Sequence, residues 1–290
     1  MAIFAKQAYR DGLGVVSLLA ARFALAAVVL WAIVAVRRVA RPPRRIVVAC
    51  LALGAIGYSA QAGLFFSALE HIDASLSSLL LYTYPALVFL AAVALGRERP
   101  TPWKAGALLL ASAGAALVLL GGGGVGLKAT GVVLALGAAV TYTTYILVAD
   151  VISGRVDAFL LAALVTTGAT VTFFAAGTAG GSLDLGAGWT WIVAIALLST
   201  VLPIVTFVLG MQRVGPATAS IVSTVEPVVT VALAVALFGD ALGPAQVLGG
   251  ALVLAAVVAL QSRGVSVRPR VAPDHAAAVA PARTPAREAA

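Results

Sequence analysis

A chain of 290 residues with 62% hydrophobic and only 10% charged side chains, at a mean hydropathy of +1.07, has too few charges to cover a water-facing surface, which excludes a soluble globular domain. Its formal charge of +8 does not point to nucleic acid, because the basic residues sit in short gaps between apolar runs and not along one face. Cys50 is the single cysteine, so a disulfide framework and a multi-cysteine metal site are excluded, and without asparagine there is no N-glycosylation sequon.

In chain order, MAIFAKQAYR (1–10) is too short and too weakly apolar at its centre for a signal peptide. Nine apolar segments follow, at 13–36, 46–69, 76–96, 103–121, 129–152, 157–179, 189–210, 218–238 and 245–261. Each approaches the roughly 20 residues that a helix needs to cross a hydrocarbon core of about 30 Å. The connections RRVARPPRR (37–45), EHIDAS (70–75), GRERPTP (96–102) and GDALGP (239–244) carry turn chemistry and are too short for a soluble domain. Inside hydrocarbon each backbone polar group must bond within its own segment, and barrel strands would alternate apolar with polar. The sequence therefore predicts an all-α polytopic membrane helix bundle. From 262 to 290 the Ala-, Pro-, Arg- and Val-rich sequence has no helical period, which predicts a disordered tail.

If the 37–45 connection is cytoplasmic, alternation puts Arg97, Arg99, Lys104, Arg155, Arg213 and the tail on that side too. Of the 19 basic residues, Arg10 and Lys128 then fall on the opposite side, with Lys6 and Arg22 inside apolar sequence. This positive-inside bias predicts a cytoplasmic C-terminus.

The segment 68–102 aligns with 210–244 at a constant offset of 142, placing Pro85 on Pro227, Ser78 on Ser220, Glu98 on Asp240 and Pro102 on Pro244. A five-helix unit makes 1–121 the first copy and 129–261 the second. An odd number of spans inserts the two copies upside down relative to each other, an arrangement characteristic of secondary transporters. The partner of 129–152 is represented by residues 1–10 alone. The first copy is thus expected to be incomplete at its start, either because the true start lies upstream or because most of the first helix is lost.

These residues resemble the EamA-type members of the drug/metabolite transporter superfamily. The resemblance is carried by Lys6 in the first-helix remnant, the RFALAAVVL run from Arg22, YTYPALVFLAAVALGRE (82–98), and above all VGPATASIVSTVEPVVTVALAVALFGDALGPAQVLGGALVL (214–254), with Asp240 at the usual acidic position after the ninth helix. It implies ten helices in two inverted repeats, a bacterial inner-membrane location, and export or exchange of small metabolites such as amino acids.

Glu226 lies about eight residues into its span, where a carboxylate costs roughly 2.5–3.5 kcal/mol on insertion scales. It reads either as a proton-coupling or substrate-sensing group, or as a packing acid bonded to a neighbouring hydroxyl. Pro227 removes a donor and predicts a kink. Tyr84 and Pro85 occupy the symmetric positions, so a midplane site is expected between the two kinks. Arg22 lies about ten residues into its span, roughly 15 Å of rise and too deep for easy snorkelling. It pairs with Glu226, attracts an anionic solute, or bonds a backbone carbonyl. Tyr58 with Gln61, and Tyr142 with Tyr145, are i,i+3 pairs sharing a helix face, and Tyr82 and Thr83 precede the first kink. As a set they suit a pathway for a small, partly apolar solute; singly, each also reads as an interhelical hydrogen bond or part of an interfacial belt.

Other motifs carry no chemistry. GGGGVG (121–126) follows an apolar helix and not a strand, so the dinucleotide reading lacks its context. His71 and His275 assemble no metal cluster, no cofactor is expected, and Cys50 reads as a small buried apolar residue. Ala245 and Gly249 form a small-xxx-small spacing that suits helix packing or a homodimer contact equally. The favoured function is a secondary transporter working by alternating access, driven by protons through Glu226 or by the solute's own gradient. An intramembrane lipid-modifying enzyme is the alternative, although the spans supply no histidine for it. An inactive truncated homologue is the third reading.

Overall fold

The computed structural model describes residues 1–96, 102–121, 128–184, 186, 188–210, 213, 229, 233, 235–237, 239 and 242–262. Most of the 218–238 span, with Glu226 and Pro227, lies outside the described residues, as do Asp240, most of the glycine run at 121–126 and the tail beyond 262. Ten helices are described: α1 (Ala2–Arg10), α2 (Val15–Val36), α3 (Arg44–Ala68), α4 (Ala74–Leu81), α5 (Tyr84–Ala94), α6 (Pro102–Gly121), α7 (Ala129–Ser153), α8 (Ala158–Ala179), α9 (Trp189–Gly210) and α10 (Pro244–Ser262). Among the described residues there is no strand, and six spans are long and apolar enough to cross a membrane, α4 and α5 counting together as one of them. The chain is a polytopic helical membrane protein.

Two pairs of helices pack most extensively, α2 on α8 and α6 on α10. Each pair joins a helix to the one lying 142 or 143 residues further along, that is, to its own copy. Their directions follow from the contacts. The Ser17 hydroxyl donates to the Ser182 carbonyl at 2.9 Å, Phe23 stacks on Phe173 with centroids 5.7 Å apart, and the Trp31 indole donates to the Thr167 hydroxyl at 3.0 Å. Numbers rise along α2 while they fall along α8, so the two run antiparallel. In the second pair the Trp103 indole donates to the Ala259 carbonyl at 2.9 Å, and Gly114 abuts the Gly249 backbone. This pair is antiparallel too. A helix antiparallel to its own copy is what an inverted repeat requires.

The copies also share a local irregularity. Leu53–Tyr58 of α3 and Leu197–Val201 of α9 are π turns, within two residues of the repeat offset. A π turn widens the helix and leaves carbonyls short of partners, which is costly without water. Hydroxyls supply them. Ser59 donates to the Gly54 carbonyl and Thr200 to the Ile195 carbonyl, each at 2.9 Å and each five residues back, while Thr172 of α8 donates to the Ala55 carbonyl at 2.8 Å. The sequence predicts uninterrupted α-helices over 46–69 and 189–210. The π turns depart from that because nothing in the apolar pattern distinguishes i→i−5 from i→i−4 bonding. Here α3 and α8 touch backbone to backbone: a Cβ on Gly54 would strike the Val165 carbonyl, and one on Gly168 the Leu51 carbonyl.

Helix ends are set by local chemistry. Asp157 caps α8, its Oδ1 accepting from the Phe159 and Leu160 N–H groups at 2.9 and 3.3 Å. α2 ends with the Arg38 N–H on the Ala35 carbonyl and the Val39 N–H on the Val34 carbonyl, a Schellman pattern that puts Arg38 at φ 50°. Connections 37–43 and 154–157 meet at one end of the bundle. The opposite end gathers the turn at 11–14 with 180–184 and Gly188, joined by the Trp191 indole donating to Asp11 Oδ2 at 2.8 Å. It also holds the turn at 70–73 packed against Gly131. The first end carries Arg37, Arg38, Arg41, Arg44, Arg45 and Arg155, whereas the second carries Asp11, Glu70, Asp73 and Asp184 beside Arg10 and Lys128.

Candidate functional site

The expected span at 76–96 is interrupted. α4 stops at Leu81, Tyr82 and Thr83 form a turn, and Pro85 sits in the first turn of α5. The pyrrolidine ring excludes an N–H from the ladder and crowds the carbonyl four residues back, that of Leu81. The Leu80 carbonyl accepts from both the Thr83 N–H at 3.2 Å and the Thr83 hydroxyl at 2.8 Å, closing the turn. The break turns Tyr82 and Tyr84 inward together, with rings 5.6 Å apart.

From this pair a run of aromatic rings crosses the bundle, from helices of the first copy to α7 and α8 of the second. Tyr84 meets Tyr142 of α7 edge-on at 4.6 Å. Tyr142 stacks on Tyr145 at 6.0 Å, as their shared helix face requires. Tyr145 lies 5.2 Å from Tyr58, at the end of the α3 π turn. Tyr58 meets Phe23 at 5.3 Å, and Phe23 stacks on Phe173. Tyr58, Tyr82, Tyr84 and Tyr145 are each less than 10% exposed, and Tyr142 is half-buried. Gln61, one turn beyond Tyr58, is buried at 4%. The predicted tyrosines thus come from three helices (α3, α5 and α7) and the α4–α5 break into one contiguous group.

Arg22 lies at the Phe23 end of this run. Since α2 begins at Val15, Arg22 is seven residues in, about 11 Å of rise. It is 1% exposed, among the most deeply buried side chains of the protein. Its guanidinium lies 4.3 Å from the Phe23 centroid and 4.8 Å from that of Phe66, and Nη1 donates to the Met1 sulfur at 3.3 Å. The Tyr58 phenol is within hydrogen-bonding reach of it. Among the described residues its Nε has no partner and no carboxylate pairs with it. A cation held by ring faces, a thioether and a phenol keeps unspent donor capacity, which an anionic group could use. The pairing with Glu226 expected from the sequence, and the second kink at Pro227, lie outside the described residues.

Several members of this environment carry no sequence signal. Phe23, Phe66 and Phe173 are ordinary apolar residues in apolar runs, and only the register of α2 against α3 and α8 makes them a cradle. Tyr9 of α1 also approaches Arg22, its hydroxyl donating to the Phe66 carbonyl at 3.0 Å. The Thr143 hydroxyl bonds the Ala139 carbonyl at 2.8 Å and reaches the Tyr84 carbonyl at 3.4 Å, tying α7 to the start of α5. Lys6 lies on α1, its Nζ 3.6 Å from Asp73 Oδ1. Among the described residues no cluster of His, Cys, Asp and Glu could hold a metal ion.

Comparison with known proteins agrees with this architecture. No curated protein matches the chain. A crystal structure of a protein 22% identical superposes with a TM-score of 0.67, covering 89% of this chain and 92% of the other, which is a likeness of fold. The EamA-like transporter family matches residues 1–120 and again residues 129–261. With its apolar spans and antiparallel helix copies, the chain belongs to the EamA-like transporter family, whose members are membrane transporters of small molecules.

Proposed function

We propose that the chain is a secondary transporter that exports small, partly apolar metabolites such as amino acids by alternating access across a bacterial inner membrane. The observation that carries this reading is the buried tyrosine run ending at Arg22. It offers ring faces for an apolar body, phenols for orientation, and one cation with unspent donors for a carboxylate, which is a sparse polar set in an apolar site. Its location beside the helix pair α2 and α8, two copies packed antiparallel, suits a pathway that opens by rocking one half against the other.

In this reading the arginine-rich end of the bundle is cytoplasmic, as is the C-terminus, because basic connections are retained on that side. Residues 1–121 and 129–261 act as the two moving units, and the chain works as a carrier and not as an enzyme. Glu226 serves as the proton-coupling group, with Pro85 and Pro227 as paired hinges. The small-residue spacing of Ala245 and Gly249 serves helix packing within the chain, since the Gly249 backbone lies against Gly114, so a homodimer would use another face. Counterflow of labelled amino acids into proteoliposomes tests the reading: the purified chain accumulates label where empty vesicles do not. Glu226→Gln abolishes the dependence of flux on a pH gradient; if that dependence survives, Glu226 is not the coupling group.

A further inference from the structure

A second site lies far from the tyrosine run, at the basic end of the bundle. A cavity of about 440 Å³ opens between the 37–43 connection and the α7–α8 turn, lined by Arg37, Arg41, Pro42, Arg155, Val156 and Asp157 among others. That volume is within the range of small-ligand pockets. Two connections distant in sequence bring three guanidinium groups around one space. The carboxylate there, Asp157, has one oxygen committed to the N–H groups of Phe159 and Leu160. Arg37 is held in place with its guanidinium 4.5 Å from the Phe159 centroid. Among the described residues, none of the three arginines is within ion-pairing distance of a carboxylate.

Arginines after the C-termini of α2 and α7 complement the helix dipoles, and a positive-inside bias would retain them anyway. Neither reason requires a cavity between them. The connection leaves α2 through the left-handed turn at Arg38 and brings Arg41 to the same cavity as Arg155. Beside it, the outer face of α2 presents Val28, Trp31 and Val36, which are 66%, 41% and 83% exposed, as a surface facing acyl chains does.

We propose that this cavity binds the phosphodiester headgroup of an anionic phospholipid. Arg41 and Arg155 clamp the phosphate oxygens, for which the guanidinium fork is well suited, Arg37 closes the cation ring, and the acyl chains lie along the exposed face of α2. A basic pocket between helix ends at one membrane face is a recognised setting for such headgroups.

The test places the full chain in phosphatidylcholine nanodiscs doped with phosphatidylglycerol and counts retained phosphatidylglycerol by native mass spectrometry. The wild-type chain should retain it. Arg41→Gln/Arg155→Gln should weaken retention about 25-fold, at roughly fivefold for each arginine removed. Arg44→Gln/Arg45→Gln removes the same charge outside the cavity and should leave retention unchanged. Equal losses in both double variants would mean diffuse surface attraction and would overturn the proposal. So would displacement of the lipid by inorganic phosphate, which would make the site one for a free anion. The wild-type preference is independent of how the variants fold, and its absence is equally fatal.

Discussion

Arg22 is the residue whose chemistry is hardest to reconcile with an idle structural role. A buried cation supported by two ring faces, a thioether and a phenol is a weak contributor to stability, because replacing buried charge by an apolar side chain of similar volume is often neutral or stabilising by about 1–4 kcal/mol. Arg22→Met is therefore expected to leave the thermal midpoint unchanged or raised while abolishing counterflow. A midpoint that falls steeply together with flux would make Arg22 structural. Tyr58→Phe keeps the ring contacts with Phe23 and Tyr145 and deletes only the hydroxyl. The expected stability cost is about 1 kcal/mol or less, with a larger proportional loss of flux, measured by the same pair of assays. These residues were visible in the sequence because a polar tip inside an apolar span is rare and expensive. Phe23 and Phe173 were not, since phenylalanine in an apolar run signals nothing until packing gives it neighbours. The three arginines of the second cavity read in the sequence only as orientation signals, because their convergence depends on the turn at Arg38.

At the scale of elements, the contact between α3 and α8 is set by two glycines and stitched by hydroxyls around a π turn. Gly168→Ala would drive a methyl into the Leu51 carbonyl, and since backbone cannot swing aside as a side chain can, overpacking of about 1–3 kcal/mol is expected. Equilibrium unfolding in mixed detergent measures it; no loss would mean that the helices separate freely. Ser59→Ala removes the donor to the Gly54 carbonyl and should cost about 1–2 kcal/mol, the penalty of an unsatisfied buried acceptor. The matching change Thr200→Val in α9 should cost about the same, because the copy uses the same device. Span positions were legible from apolar run length alone. The π turns were not, since Ser59 and Thr200 read as ordinary small polar residues of a span until each hydroxyl is seen on the carbonyl five residues back. The break at Tyr82–Thr83 was foreshadowed by Pro85, but its place one turn earlier follows from which carbonyl the ring crowds.

For the whole molecule, an offset of 142 that begins as a similarity of polar and proline positions ends as antiparallel packing of α2 on α8 and of α6 on α10. The inversion was readable because an odd number of spans per copy forces it. What sequence left open was how the halves meet, which depends on side-chain register. The central claim is that a solute passes along the tyrosine run, open to each side in turn. Tyr142, half-buried in that run, allows a direct test, since Cys50 is the single native cysteine. In a Cys50→Ala background, Tyr142→Cys is exposed to a membrane-impermeant thiol reagent, in vesicles of both orientations, with and without a transported amino acid. Labelling from both sides and protection by the solute are expected. Labelling confined to one side, or absent from both, would contradict it.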